Sequence, residues 1–380
     1  MKLDNIIDKR FEKITKNQQV RQLKKLSSLG SHICINDREY VNFSSNDYLG
    51  LSQHPNIKTA ASECIDSYGV GSTSSRLLSG NLEIHELLES ELALMFASES
   101  ALVFSSGYLA NLAVINCLAN KDSIIISDKL IHASLIDAIN LAKARHYRFK
   151  HNNMDHLEDI LKNQRENHVN KDIYIVVESL YSMDGDFADL KSISFLVNKY
   201  NAILILDEAH AAGVYGKRGN GLWPDTEFNC SIIRTFTMSK AFGSYGGVVL
   251  CNNKLRSVMI SSARTFIYNT ALPAVFIASS LAAINEIKSL KHADDLHKNI
   301  SYFQEKQAIK NLNINTISQI IPIYYGNINQ IKNLSESMLE AGLIAPVIIS
   351  PTVAKGKERI RISITARHTT ADIDRLLDLL

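Results

Sequence analysis

The chain has 380 residues, 46% of them hydrophobic and 21% charged, with a formal net charge of +2 at pH 7. That length exceeds one simple core and suggests two domains, and the composition is that of an ordinary globular protein. Near-neutral charge gives no electrostatic basis for binding nucleic acid or an anionic membrane, and no apolar run approaches the length of a membrane span.

The N-terminus, MKLDNIIDKRFEKI, mixes both charges from the start and lacks an apolar signal core, so no targeting segment is expected. Five scattered cysteines (Cys34, Cys64, Cys117, Cys230 and Cys251) form no CxxC pair. That reads as a reducing cytoplasm, with neither a zinc site nor a disulfide framework. Residues 4–26 are expected to be helical, with Ile6, Ile7, Phe11, Ile14, Val20 and Leu23 roughly on one side. A strand pair, His32–Ile35 and Tyr40–Phe43, follows across the turn Asn36-Asp37.

From about residue 85, apolar strands alternate with amphipathic helices. The expected strands are Ala101–Phe104, Ser123–Ile126, Ile173–Val177, Ala202–Leu206, Ile232–Phe236 and Gly247–Cys251. The helices among them are Ser134–Ala144, Met154–Asn163 and Asp189–Tyr200. This predicts an α/β fold with a mostly parallel sheet covered on both faces. Beyond about residue 280 the pattern changes: a long helix, Ala271–Leu290, leads to strands near Ile320–Tyr325, Val347–Ile349 and Arg359–Ile364, with helices at Asn329–Ala341 and Ala371–Leu380. The expected organisation is an N-terminal helix and short strands over 1–45 packing with a small domain, a large α/β domain over 46–280, and a smaller α+β domain over 281–380.

Four expected strand ends carry unusual polar groups, and parallel strands would gather them at one edge of the sheet. Ala101–Phe104 runs into Ser105-Ser106-Gly107-Tyr108, and Ile173–Val177 ends in Glu178 before Ser182-Met183-Asp184-Gly185-Asp186. Ala202–Leu206 runs into Asp207-Glu208-Ala209-His210, and Ile232–Phe236 into Thr237-Met238-Ser239-Lys240. SSGY before a helical stretch offers N–H groups suited to phosphate, and Thr237 and Ser239 add hydroxyls. Asp207 offers a carboxylate in an apolar setting, and Lys240 an amine with small neighbours. A phosphate site, a buried acid and a lysine meet the needs of pyridoxal 5′-phosphate (PLP), which takes a lysine at its aldehyde and a carboxylate at its pyridine nitrogen.

Each piece has a plainer reading. Asp207 can be a helix N-cap, Lys240 a solvated surface residue, SSGY an ordinary turn and His132 a partly buried histidine. The joint pattern is far more specific than its members. The Asp-Glu-x-His run also suggests a metal, but no second histidine stands at ligand spacing, so no metal site is expected. A nicotinamide dehydrogenase would need a GxGxxG between the first strand and helix, which is missing.

On these residues the chain resembles the α-oxoamine synthases, PLP-dependent C-acyltransferases of the aspartate-aminotransferase fold (fold type I). The segments that carry the likeness are NFSSNDYLGLSQHP (42–55), FSSGYLAN (104–111), DKLIHASL (128–135), SMDGD (182–186), LDEAHAAGVYGKRGNG (206–221) and TMSKAFGSYGG (237–247). The resemblance implies that Lys240 bonds the cofactor and moves the substrate proton, that Asp207 pairs with the ring nitrogen, and that His132 stacks on the ring. It places His210 and Ser182 near the phenolic oxygen, and Gly107, Tyr108 and Thr237 about the ring and phosphate. Thr270 would reach the phosphate of a neighbouring subunit in a homodimer. Arg361 would grip the amino-acid carboxylate, with Asn46 near the substrate and Arg21 near its entrance.

The chain departs from the family where Thr73 and Ser74 replace glycines of a GSGGSR segment, and where Asn269 replaces a serine or threonine. Within the family, SSNDYLGLS and SMDGD lean toward the branch that condenses L-alanine with a pimeloyl thioester, carried on CoA or acyl carrier protein, in biotin synthesis. Sister branches take glycine or serine. A family member that has lost catalysis and serves as a partner subunit would lack the lysine that Lys240 supplies here.

Overall fold

The computed structural model describes every residue except 1, 18, 22, 24, 29, 224–229, 313 and 315–316. Its strands are β1 (His32–Ile35), β2 (Arg38–Asn42), β3 (Ser100–Phe104), β4 (Ile124–Asp128), β5 (Arg145–Phe149), β6 (Ile173–Glu178), β7 (Ile203–Asp207), β8 (Ile232–Thr237), β9 (Gly247–Cys251), β10 (Ile320–Ile323), β11 (Leu343–Ile344), β12 (Val347–Ile348) and β13 (Arg359–Ser363).

A seven-stranded sheet in the order β3-β9-β8-β7-β6-β4-β5 forms the centre. Strands β5, β4, β6, β7 and β8 run parallel. β9 is antiparallel to both β8 and β3, so β3 points the same way as the parallel set. The continuous apolar runs follow from burial on both faces. Val114, Leu135 and Ile139, from helices Gly107–Leu118 and Ala133–Ala142, cover Ile125, Val176 and Ile205 on one side. Leu157, Ile193 and Leu196, from helices Met154–Asn167 and Leu190–Lys199, cover Ile126, Ile175 and Leu204 on the other.

Strand β5 was not among the expected strands. Its sequence, RHYRF, is polar because it lies at the sheet edge, where only one flank pairs. The expected N-terminal helix is also shorter: it spans Lys2–Lys16 and has no buried residue, so Ile6, Ile7, Phe11 and Ile14 stay exposed. The link between the N-terminal segment and the C-terminal part comes instead from the parallel pairing of β2 with β11 and from Gln19 Nε2, which donates to the Ser350 carbonyl at 3.1 Å. Residue 280, the expected limit of the large domain, lies inside helix Ala274–Lys288, which is followed by helix Lys291–Ile309. A second small sheet, β10-β13-β12, carries Arg359 and Arg361 on its middle strand. No helix among the described residues is long and apolar enough to cross a membrane.

Two glycines set the loops at the carboxyl edge. Gly243 has φ +61°, and a Cβ there would lie 2.2 Å from the Ser52 nitrogen, so the loop after β8 can lie against the 51–52 segment only without a side chain. Gly185 has φ +70°, and a Cβ there would meet the Ile320 carbonyl oxygen at 2.0 Å, which holds the 182–186 turn against β10.

Beneath that edge, Glu208 is fully buried and accepts from Arg234 Nη1 at 3.2 Å and from the Leu222 and Trp223 backbone nitrogens at 2.7 and 3.3 Å. Arg234→Met would leave that carboxylate buried without its cation. The expected loss of stability is about 3–5 kcal/mol, read as a lower midpoint in urea unfolding followed by circular dichroism.

Candidate active site

The carboxyl ends of β3, β6, β7 and β8 meet around a cavity of about 190 Å³. Of the residues singled out from sequence, Gly107, Tyr108, His132, Asp207, His210, Thr237 and Lys240 all line it. Glu178, Asn111 and Ser239 line it as well.

Lys240 and His210 are linked, with Lys240 Nζ 2.7 Å from His210 Nε2. His210 Nδ1 lies 2.6 Å from the Tyr48 hydroxyl, which donates to Asn46 Oδ1 at 3.1 Å. One assignment satisfies the whole chain: Lys240 donates to a neutral His210, His210 to Tyr48, and Tyr48 to Asn46. Arg361 Nη2 adds a donor to the Tyr48 oxygen at 3.3 Å. Burial, followed by the charges of Lys240, Arg361 and His132, pushes the His210 pKa well below the usual histidine value and keeps the ring neutral. Burial lowers the Lys240 pKa to about 8, against the opposing pull of Asp207 and Glu178. Roughly a tenth of the amine is therefore unprotonated at neutral pH, far more than for an ordinary lysine.

Asp207 ends β7 and is 5% exposed. Its carboxylate accepts from Asn111 Nδ2 at 2.8 Å and from the Ala209 nitrogen at 2.9 Å. Asn111 uses its second amide hydrogen on Ser134 Oγ at 2.9 Å, and its oxygen accepts from Thr235 Oγ1 at 2.7 Å. Ser134 in turn contacts His132 Nδ1 through its hydroxyl at 2.7 Å and its backbone N–H at 3.2 Å. Nδ1 is thus the acceptor, and the neutral His132 ring carries its proton on Nε2. Burial lowers the His132 pKa and outweighs the nearby Asp207 carboxylate, which raises it. A single amide, Asn111, therefore orients both the acid and the histidine.

Glu178 ends β6 and accepts from the Ser182 nitrogen at 3.1 Å, while its Oε1 is buried with no hydrogen-bond partner. Burial and then the Asp207 charge raise its pKa to about 8, so it is mostly protonated at neutral pH. Sequence reasoning marked Glu178 as a strand-end acid without giving it a role. It missed Asn111 and Tyr48, although an asparagine within the apolar helix GYLANLAVINCL is a visible signal of an inward polar group.

An anion has a place at the other end of the cavity. Gly107 begins helix Gly107–Leu118 after the N-cap Ser106, and a Cβ on Gly107 would sit 3.0 Å from the Thr237 Cβ. Thr237 Oγ1 donates to the Gly246 carbonyl at 2.8 Å and lies 2.7 Å from Ser239 Oγ. Helix-end N–H groups and two hydroxyls suit a phosphate. Tyr108 bonds Asp137 through its hydroxyl, which leaves its ring at the mouth of the cavity.

Other residues stand apart. Arg361 is buried behind the cavity, donating to the Ser182 carbonyl and Ser363 Oγ, both at 2.6 Å. Ser182 thus touches the site through Glu178 and Arg361. Thr270 is exposed outside the cavity and bridges Ser75, while its carbonyl accepts from Ser105 Oγ at 3.1 Å. Asn269 Nδ2 donates to the same Ser105 Oγ at 2.7 Å. Thr73, at one of the expected glycine positions, has φ +51°, a left-handed conformation strained for a β-branched residue. Arg21 is exposed and bonds Thr352 Oγ1 at 3.1 Å, away from the cavity.

Residues 38–380 match the aminotransferase class I and II family. An 8-amino-7-oxononanoate synthase from Thermoanaerobacter pseudethanolicus is 38% identical over 382 residues, covering 98% of this chain and 95% of that protein. Among solved structures, a variant of the serine palmitoyltransferase from S. paucimobilis, with a bound PLP–myriocin adduct, superposes with a TM-score of 0.89 at 26% identity, covering 100% of this chain and 96% of that one. The 8-amino-7-oxononanoate synthase from Francisella tularensis superposes with a TM-score of 0.76 at 30% identity, covering 90% of this chain and 96% of that one.

The depressed Lys240 pKa has a direct readout. In protein stripped of any bound aldehyde, acylation of Lys240 followed by peptide mass analysis is expected to rise with pH to a plateau with a midpoint near 8. A midpoint at the ordinary lysine value, about 10.4, would contradict the burial argument.

Proposed function

The chain belongs to the α-oxoamine synthase family, PLP-dependent enzymes of the aminotransferase fold, and on that premise we propose that it is an 8-amino-7-oxononanoate synthase. The proposed reaction condenses L-alanine with a pimeloyl thioester, on CoA or acyl carrier protein, with loss of carbon dioxide. What supports a PLP enzyme most directly is that Asp207 and Lys240 line one cavity while the lysine amine bonds His210. The Asp207 carboxylate, oriented by Asn111, would hold the protonated ring nitrogen, and that cation offsets the cost of its burial. The Gly107 helix end, Thr237 and Ser239 would take the phosphate.

When bound, PLP supplies an aldehyde for the amino acid's amine and a ring that accepts the electron pair left on Cα. The protein's own groups do the rest. Lys240, partly unprotonated, takes the proton from alanine Cα, and Asp207 would keep the ring nitrogen protonated so that its positive charge stabilises the electron pair left on Cα. His132, neutral and fixed by Ser134, covers one side of the site. His210 Nε2 holds the Lys240 amine in place, and Arg361 offers a guanidinium for the substrate carboxylate. A bond forms between alanine Cα and the thioester carbonyl carbon as the carbon–sulfur bond breaks and the thiolate leaves, to take a proton from solvent. The alanine carboxyl then departs as carbon dioxide, and Lys240 returns a proton to Cα. Thr270 would serve a neighbouring subunit of a homodimer, consistent with its exposure outside this chain's cavity.

The relatives that match in sequence over nearly the whole chain favour alanine and pimeloyl thioester, whereas the serine palmitoyltransferase fold match favours serine. Both readings use the same residues. A panel of alanine, glycine and serine against pimeloyl, acetyl, succinyl and palmitoyl thioesters, read by product mass, separates them. Alanine with the pimeloyl thioester is expected to dominate, and a preference for glycine or serine would reassign the chain to a sister branch. Lys240→Ala is expected to lower kcat by about 10²–10⁴-fold from the lost proton transfer alone, with an unchanged circular dichroism spectrum. Asp207→Ala is expected to weaken PLP retention on gel filtration, read from cofactor absorbance.

A further inference from the structure

A second polar cluster lies outside the active-site cavity, where three helices meet. His54 is the N-cap of helix Pro55–Tyr68, Glu286 lies near the end of helix Ala274–Lys288, and His292 is in the first turn of helix Lys291–Ile309. His54 Nε2 stands 3.7 Å from Glu286 Oε2, and His292 Nε2 stands 3.5 Å from the same oxygen. One ligand atom from each residue lies within 4.8 Å of the others.

These separations are too long for good hydrogen bonds, which fall at roughly 2.7–3.2 Å. They suit two ligands on one ion, because bonds of about 2.0–2.2 Å at tetrahedral angles set neighbouring ligand atoms roughly 3.3–3.6 Å apart. The carboxylate is turned for such a role: Asn56 Nδ2 donates to Glu286 Oε1 at 2.7 Å, which leaves Oε2 toward the two rings. His54 has its other nitrogen, Nδ1, buried without a hydrogen-bond partner, and its ring meets that of His292 edge-on, with centroids 5.3 Å apart. The three side chains are between 7% and 20% exposed, which leaves a path for an ion and for water in a fourth position.

We propose that His54, Glu286 and His292 bind one zinc-class divalent ion, forming a clasp that joins the three helices. Two imidazoles and one carboxylate select a borderline transition metal over magnesium or calcium, which prefer all-oxygen sites. His54 is the next-to-last residue of the 42–55 segment that also carries Tyr48, so the clasp would anchor the far end of that segment. His54 lies more than two hundred positions from Glu286 and His292, and those two are on different helices, which is why no spacing motif announced the three.

The test uses untagged holoenzyme, stripped with a chelator, incubated with zinc, desalted and analysed for bound metal. Wild type is expected to retain one equivalent per chain more than His292→Ala or Glu286→Gln, and zinc is expected to raise the Tm of wild type alone. Circular dichroism checks that the variants fold, and Glu286→Gln keeps a side chain of the same shape in case His292→Ala does not. Equal zinc in wild type and variants, or none in wild type, overturns the proposal.

Discussion

A carboxylate buried at the end of a central strand is the constraint around which the large sheet is arranged. Asp207 receives hydrogen bonds from an amide and a backbone N–H, neither of them a cation. Taking such a charge out of water is costly unless something compensates. The surroundings are built to keep that debt open for a bound ring: Lys240 is turned onto His210, and Glu178 is pushed toward its neutral form. Asn111 then fixes the acid and His132 with one side chain, so the positions of both depend on helix Gly107–Leu118 staying packed on the sheet.

The smaller sheets are not bystanders to this arrangement. Gln319, just before β10, donates to the His210 carbonyl at 2.8 Å, and its oxygen accepts from the Tyr215 hydroxyl at 2.8 Å. Arg361 on β13 reaches the Tyr48 hydroxyl and the Ser182 carbonyl. The histidine that holds the lysine amine is therefore positioned from both parts of the molecule. A shift of β10 and β13 relative to the large sheet would be felt at Lys240 through these bonds.

The strands at the centre of the sheet were legible because burial on both faces leaves continuous apolar runs. Polar residues just past those runs pointed to the cavity for the same reason, since few other causes drive Asp207 or Glu178 to the end of a buried strand. What escaped was what depends on partners distant in sequence. β5 looked like a loop because an edge strand can be polar. Helix Lys291–Ile309 hides its stripe of Leu296, Ile300 and Phe303 among charged neighbours. Tyr48 and Asn111 carry no chemistry of their own and matter only for what they touch. Arg21 and Thr270 came from resemblance alone, and a single chain does not bring either to the cavity.

The antiparallel strand β9 has a further consequence. Several of the parallel strands are joined by helical crossovers, but β8 and β9 are neighbours that run oppositely, with Thr237 opposite Gly247. The segment bearing Lys240 therefore leaves and re-enters the sheet at one rung of the ladder, cinched like a drawstring. Both ends of that loop are thus held by interior hydrogen bonds of the sheet, which limits how far the reactive amine can move from Asp207 while the ladder is intact.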